Sequence, residues 1–202
     1  MTELERIEDR WGGHVPGLMS GRRFAVLVPF VESPEGLRLV LEVRSAGLKQ
    51  PGEVCFPGGR AEPGESFADC ALRETFEELA IPPSEVRLLG QTDFLVHQRG
   101  FLLQPVLGVV SPAGLAKLSP SPAEVAEVFT VPLSFFRDTP PTVSHYALTA
   151  RVPEDFPYQL AGIRPDYPWG GSEVEVPVWR YEGHAVWGLT ARILRHILKE
   201  SD

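Results

Sequence analysis

Positive charge is scarce in this chain: 19 Lys and Arg stand against 27 Asp and Glu, for a net charge of −8. That balance argues against a general binder of nucleic acid or of anionic membrane, because both partners require a positive surface. Cysteine is scarcer still. The two present, Cys55 and Cys70, have neither the spacing of a close pair nor that of a metal motif, so they are expected as reduced core residues rather than a disulfide or a nucleophile. Long apolar runs are missing, and no stretch approaches the length that spans a bilayer. The opening MTELERIEDRW does not show the basic-then-apolar layout of a secretory signal, which sets a cytoplasmic expectation. There is no internal repeat and no low-complexity domain. With 202 residues, 43% of them hydrophobic and 23% charged, the chain is expected to form one domain over 1–202.

What is there begins with β-type runs. FAVLVPFV (Phe24 to Val31) and LRLVLEVR (Leu37 to Arg44) are joined by the turn-rich SPEG and predict a hairpin. Val54 to Phe56 is a short strand that enters a glycine turn. VRLLGQTDFLV (Val86 to Val96) and FLLQPVLGVV (Phe101 to Val110) predict a second strand pair across HQRG. SPAGLAKLSPSPAE reads as a punctuated connection, followed by a strand over Val125 to Val131 and a short helical start at Pro132 to Phe136. SHYALTARV and EVPVWRYEGHAVWG add late β segments, with Glu182-Gly183 as a turn. A closing amphipathic helix follows, with Leu189, Ile193 and Ile197 as its apolar stripe and Arg192, Arg195 and Lys199 on its solvated face. This order predicts an α/β protein with a mixed β-sheet and helices on both faces. The aromatic loop 157–171 is a candidate for covering a substrate or for contacting a second copy in a homodimer, and equally reads as an ordinary surface loop.

The densest chemistry lies between Gly59 and Ile81, GRAEPGESFADCALRETFEELAI. One hundred degrees per residue gathers Glu74, Glu77 and Glu78 into one arc beside Arg73, and places Ala68, Leu72, Phe76 and Leu79 on the opposite, packing side. Like charges three and four residues apart oppose an isolated helix by about 0.2–0.5 kcal/mol per pair, so a neutralising cation makes sense of the cluster. Mg²⁺ suits such oxygen ligands, with Mn²⁺ as the other candidate. A solvated acidic face is the plain alternative. Against it stand the fixed offsets of Gly58, Gly59, the Pro63-Gly64 turn, Glu65 and Arg73.

On those residues the chain resembles the Nudix hydrolase family, whose signature runs Gly, five residues, Glu, seven residues, Arg-Glu-aliphatic-any-Glu-Glu-any-Gly-aliphatic. Gly59, Glu65, Arg73, Glu74, Glu77, Glu78 and Ile81 match. Thr75 stands in place of an aliphatic residue and Ala80 in place of the glycine that follows the helix. Thr75 can turn its methyl inward, and Pro82-Pro83 offers a different stop. The resemblance implies an α/β/α sandwich of Nudix type. It also implies metal held by Glu74, Glu77 and Glu78, with the Gly59 carbonyl as an added ligand.

A narrower resemblance concerns substrate. Leu39 to Glu65, LVLEVRSAGLKQPGEVCFPGGRAEPGE, is similar to the extended motif of the coenzyme A pyrophosphatase branch. Arg44, Ser45, Gly52, Glu53, Val54, Phe56, Pro57, Gly58 and Gly59 fit it. EVAEVFTVPLSFF and AVWGLTARIL are also similar to that branch. The implied reaction is metal-dependent hydrolysis of the diphosphate of coenzyme A or its derivatives, giving 4′-phosphopantetheine and adenosine 3′,5′-bisphosphate. Metal-held carboxylates would neutralise phosphate oxygens and activate water.

The catalytic candidates are therefore Glu74, Glu77, Glu78, Arg73 and Glu65, with Arg73 expected to orient carboxylates through its planar guanidinium. The general base is open between Glu78 itself and Glu124 or Glu127. Arg44, Ser45, Lys49, Arg60 and Arg99 are the candidates for holding the substrate, although a basic surface residue is usually just that. A Nudix enzyme acting on ADP-ribose, a dinucleotide or another nucleotide would keep the same box, and a noncatalytic nucleotide-binding module is the alternative of a different class.

Overall fold

In the computed structural model, which describes Thr2 and residues 22–200, the first two apolar runs form the expected hairpin. Strands β1 (Arg22–Ser33) and β2 (Gly36–Arg44) pair antiparallel, closing at Ser33 opposite Gly36. Gly36 sits at φ 116°, a backbone conformation that other residues rarely adopt. Two short strands follow, β3 (Val54–Cys55) and β4 (Gly58–Arg60), and then the helix α1 (Phe67–Leu79). A 3₁₀ turn (Pro83–Glu85) leads into β5 (Val86–Gln91), β6 (Leu95–His97) and β7 (Phe101–Val110). The run Val86 to Val96 is thus two strands. Its middle leaves the ladder where the Gln104 side-chain amide donates to the Thr92 carbonyl at 2.6 Å.

The segment expected as plain connection contains a short helix, α2 (Pro112–Ala116), capped by Ser111, whose hydroxyl accepts from the Gly114 N–H. Strand β8 (Val125–Pro132) and helix α3 (Leu133–Asp138) come next, then β9 (Thr142–Leu148), the single-turn α4 (Tyr158–Ala161), β10 (Ser172–Tyr181), β11 (His184–Trp187) and α5 (Gly188–Glu200).

Among the described residues the main sheet has eight strands in the order β3-β2-β1-β7-β5, with β4 also on β1, β6 on β7 and β8 on β2. β1 and β7 run parallel and the other pairs antiparallel, so the sheet is mixed. The late β segments do not join it. They form a separate three-stranded sheet, β11-β10-β9, with Glu182 and Gly183 in the turn at positive φ.

Period-two alternation in β1 and β2 divides the interior into two apolar cores. On one face Ala25, Leu27, Val31, Val40 and Val106 pack against Cys70, Ala71 and Leu79 of α1 and against Ile81. On the other, Val28, Phe30, Leu39, Leu41 and Val131 meet Phe136, Trp179, Val186, Ala191, Leu194 and Leu198. Each fully buried aliphatic side chain contributes about 1.5–3 kcal/mol. The second face is therefore covered by α3, α5 and the small sheet together. The buried stripe of α5 is Ala191, Ile193, Leu194 and Leu198, while Leu189 and Ile197 flank it. Of its expected solvated face, Arg195 pairs with Glu175. Loop 157–171 packs on itself, with Phe156, Tyr158, Tyr167 and Trp169 meeting edge to face.

No helix among the described residues is long and apolar enough to cross a membrane.

Candidate active site

Helix α1 begins at Ser66, whose side chain accepts from the Asp69 N–H at 3.1 Å. It ends at Ala80, which itself takes the left-handed conformation, φ 59° and ψ 20°, with its N–H donating to the Phe76 carbonyl. Alanine thus occupies the glycine's geometry, and the stop lies there rather than at Pro82-Pro83. Thr75 is fully buried, and its hydroxyl donates to the Ala71 carbonyl at 2.6 Å, so no polar group is stranded.

The packing face of α1 differs from the helical-wheel expectation. Cys70, Ala71, Thr75, Glu78 and Leu79 are buried, whereas Phe76 is 50% exposed. The inward face is therefore turned toward the acidic arc, because what α1 meets is the edge of β1 and β4, where two glycines present no side chain. A Cβ on Gly59 would lie 2.4 Å from the Glu74 carboxylate, and one on Gly58 would lie 2.3 Å from the Ala25 carbonyl oxygen. Gly58 also has φ 153°, and its N–H donates to Glu78 Oε2 at 2.7 Å. The two glycines let the helix come close and then hold one of its carboxylates.

Arg73 binds the neighbouring acids together. Its Nε and Nη2 reach the two oxygens of Glu65 at 2.8 and 3.1 Å, a two-pronged contact, while Nη1 reaches Glu74 at 2.9 Å and Glu77 at 3.2 Å. Nη2 also donates to the Arg60 carbonyl. The guanidinium holds the Glu65 carboxyl down to about 2. Glu77 remains the exposed member of the set.

Glu42, on β2, is a residue that the sequence analysis did not single out. It is 1% exposed and lies on the α1 face of the sheet, in period with Val40. The Cys55 thiol donates to Glu42 Oε1 at 3.3 Å, and Glu42 Oε2 is buried without a hydrogen-bond partner among the described residues. Burial pushes its carboxyl up to about 7. Burial, followed by the negative charge of Glu42, pushes Glu78 up to about 9. Glu74 is raised as well, mainly by burial, and the negative charge of Glu124 bears on all three. A signal for Glu42 did exist: Leu39, Val40 and Leu41 form an unbroken apolar run, which marks a strand covered on both faces.

Of the two later acids, Glu124 lies within electrostatic reach of Glu42, Glu74 and Glu78. Ser45 fixes that segment: its hydroxyl donates to the Ala123 carbonyl at 2.6 Å and its N–H to the Glu124 carbonyl at 2.9 Å. The Ser45 hydroxyl is thereby committed to the backbone. Glu127 instead sits 3.2 Å from His184, whose ring stacks on Phe129 of the opposite core. The structure does not bring it to the cluster. Arg44 Nε donates to the Lys49 carbonyl, which shapes the loop before β3. Arg60 and Lys49 are exposed, and Arg99 lies in the β6–β7 turn, where its carbonyl accepts from Arg22.

Among the described residues no three His, Cys, Asp or Glu side chains close into a ready-made metal cage. Mg²⁺ does not need one, since it usually takes one or two carboxylates and completes its shell with water and substrate phosphate. An all-oxygen donor set, two buried acids within electrostatic reach of each other and an orphaned Glu42 oxygen fit a hard divalent cation.

A family comparison agrees with this geometry. The NUDIX domain model matches residues 21–151. A relative described as the uncharacterized Nudix hydrolase NudL of Photorhabdus laumondii is 36% identical over 183 residues, covering 90% of this chain and 86% of its own length. NudL of Yersinia pestis is 34% identical over 184 residues, 90% of this chain and 80% of its own. Among solved structures, the Nudix hydrolase RenU of M. smegmatis superposes with a TM-score of 0.50 at 20% identity, over 58% of this chain and 74% of that one, a likeness of fold. The chain belongs to the Nudix family and is a Nudix hydrolase of α/β/α architecture.

Proposed function

We propose that this enzyme hydrolyses the diphosphate of coenzyme A or a coenzyme A derivative, releasing 4′-phosphopantetheine, or its acylated form, and adenosine 3′,5′-bisphosphate. The observation that carries the reading is the position of the segment Gly52 to Gly59, which resembles the coenzyme A branch. It is tied by backbone bonds to Arg44 and Leu27 and ends with the Gly58 N–H on Glu78. The residues that suggest the substrate thus form a wall of the acidic site.

Bound Mg²⁺ or Mn²⁺, held by Glu74, Glu77, Glu78 and the Gly59 carbonyl, would supply charge neutralisation at phosphate and a more acidic water. The chain's own groups do the rest. Gly58 fixes the direction of the Glu78 carboxylate, and Arg73 holds Glu65, Glu74 and Glu77 in one arrangement before substrate arrives. Such preorganisation is most of what phosphoryl transfer asks of a protein. The role of taking a proton from attacking water is assigned to Glu124, whose charge bears on the cluster, with Glu78 as the other candidate. Arg44, Lys49, Arg60 and Arg99 are the cations from which a 3′-phosphate contact would be drawn. Leu160, 88% exposed, marks the loop where a homodimer contact would be sought.

The test compares kcat/KM for coenzyme A and 3′-dephospho-coenzyme A at fixed free Mg²⁺. A charged hydrogen bond of about 1.5–3 kcal/mol that persists in the transition state gives coenzyme A roughly a tenfold to hundredfold advantage. Alanine at the contacting cation should abolish that advantage. Faster turnover of ADP-ribose or a dinucleotide than of any coenzyme A form would overturn the substrate assignment and leave diphosphate hydrolysis standing.

A further inference from the structure

Glu42 lies outside the Nudix box, on a central strand between β3 and β8, opposite Cys55 on one side and Val128 on the other. A carboxylate is seldom placed in such a position without a partner, because burying an ionised acid is costly unless it is neutralised. Its neighbours do not neutralise it. Among the described residues Oε1 receives one weak S–H donor from Cys55 and Oε2 receives none, and the nearby acids Glu78 and Glu124 would add charge of the same sign. The cation whose charge bears on it, Arg44, spends its Nε on the Lys49 carbonyl. Two buried acids within electrostatic reach of each other, one with an oxygen open, are donors of the kind that a hard cation takes.

We propose that Glu42 is a ligand of the divalent cation, binding through Oε2 jointly with Glu78, from a strand that the family's box does not include. The inference rests on the metal-dependent reading above and extends its ligand set. Cys55 has a definite part in it: its thiol occupies Oε1 and leaves Oε2 as the open oxygen.

The test uses Mn²⁺ alone, without nucleotide, and reads free Mn²⁺ by electron paramagnetic resonance. Glu42→Gln should weaken Mn²⁺ binding at least tenfold, as should the apolar replacement of similar size, Glu42→Met. Glu173→Gln, on the separate sheet, should change it less than twofold. A spectroscopic arm needs no change at Glu42. In Cys70→Ala protein, Cys55 is the one remaining thiol, and Mn²⁺ should move its infrared S–H stretching band to higher frequency as Glu42 gives up negative charge. Parent-like Mn²⁺ binding by Glu42→Gln or Glu42→Met overturns the proposal. If neither variant folds, an S–H band unmoved at saturating Mn²⁺ overturns it. Failure of the underlying reading looks different: parent protein would bind no Mn²⁺, and Glu78→Gln would alter neither binding nor turnover.

Discussion

The two faces of the main sheet are built from the same strands and yet do opposite things with charge. On the face beneath α3 and α5, β2 contributes Leu39 and Leu41 to an interior of aliphatic and aromatic side chains. On the face beneath α1, the same strand contributes Val40 and then Glu42, which lies within electrostatic reach of Glu78 and Glu124. A core that gains stability from apolar burial would not select that second arrangement, since unpaired buried acids oppose folding. The proposed cation and phosphate would give that arrangement its use, and the apolar cores on both faces supply the stability that makes it tolerable.

Breaking the acidic face should cost activity. Glu78→Gln keeps size and removes the anionic oxygen, and its metal-saturated kcat should fall by about 10²–10⁴. Glu77→Gln, at an exposed position, should fall less. Turnover near the parent value for Glu78→Gln, with saturating metal and a native circular dichroism spectrum, would defeat the assignment. Breaking the apolar face should instead cost stability. Leu41→Ala empties a fully buried site and should lower unfolding free energy by about 2–5 kcal/mol, with kcat per folded molecule little changed. Urea unfolding and active-site titration separate the two effects.

The acidic face should also give metal-free protein an inverted response to pH. Glu42 and Glu78 hold protons in the folded state to about 7 and about 9, whereas unfolded they release them near the ordinary carboxylate value of about 4.5. The native state therefore binds more protons than the unfolded state across that interval. Stability is full below the lower limit and falls as pH rises through the raised values. Melting curves with chelator should show this decline, and divalent cation should reduce it. A metal-free melting temperature that rises steadily from pH 5 to 9 would contradict the burial of these acids. The smallest effect concerns the helix end: Ala80→Gly relieves a left-handed alanine and should stabilise by about 0.5–1 kcal/mol, visible as a rise of roughly 1–4 °C in Tm.

Much of this was legible in residues. The hairpin at SPEG, the box helix and the Glu182-Gly183 turn follow from alternation and punctuation, which are local signals. What was not legible depended on packing between distant segments. Phe76 falls on the inner side of a helical wheel drawn for α1 alone, yet it is exposed because Gly58 and Gly59 draw the acidic side inward. Glu42 follows the apolar run Leu39 to Leu41, which marks a strand covered on both faces, but nothing local says that Glu78 and Glu124 come near it. Glu124 and Glu127 are three residues apart on one segment, and nothing local says that the first faces the cluster while the second meets His184. The small β9–β11 sheet was visible as strands but not as a separate layer, because pairing partners are not encoded in periodicity.

Mass spectrometry of the products formed from coenzyme A by parent enzyme and by Glu78→Gln, each with Mg²⁺ and with chelator, tests metal-dependent hydrolysis at this site most directly. Parent enzyme with Mg²⁺ should yield 4′-phosphopantetheine and adenosine 3′,5′-bisphosphate in equal amounts, and the other three reactions at least a hundredfold less. Intact coenzyme A after prolonged incubation of folded parent enzyme with Mg²⁺, or the same products at the same rate from Glu78→Gln, would contradict that reading.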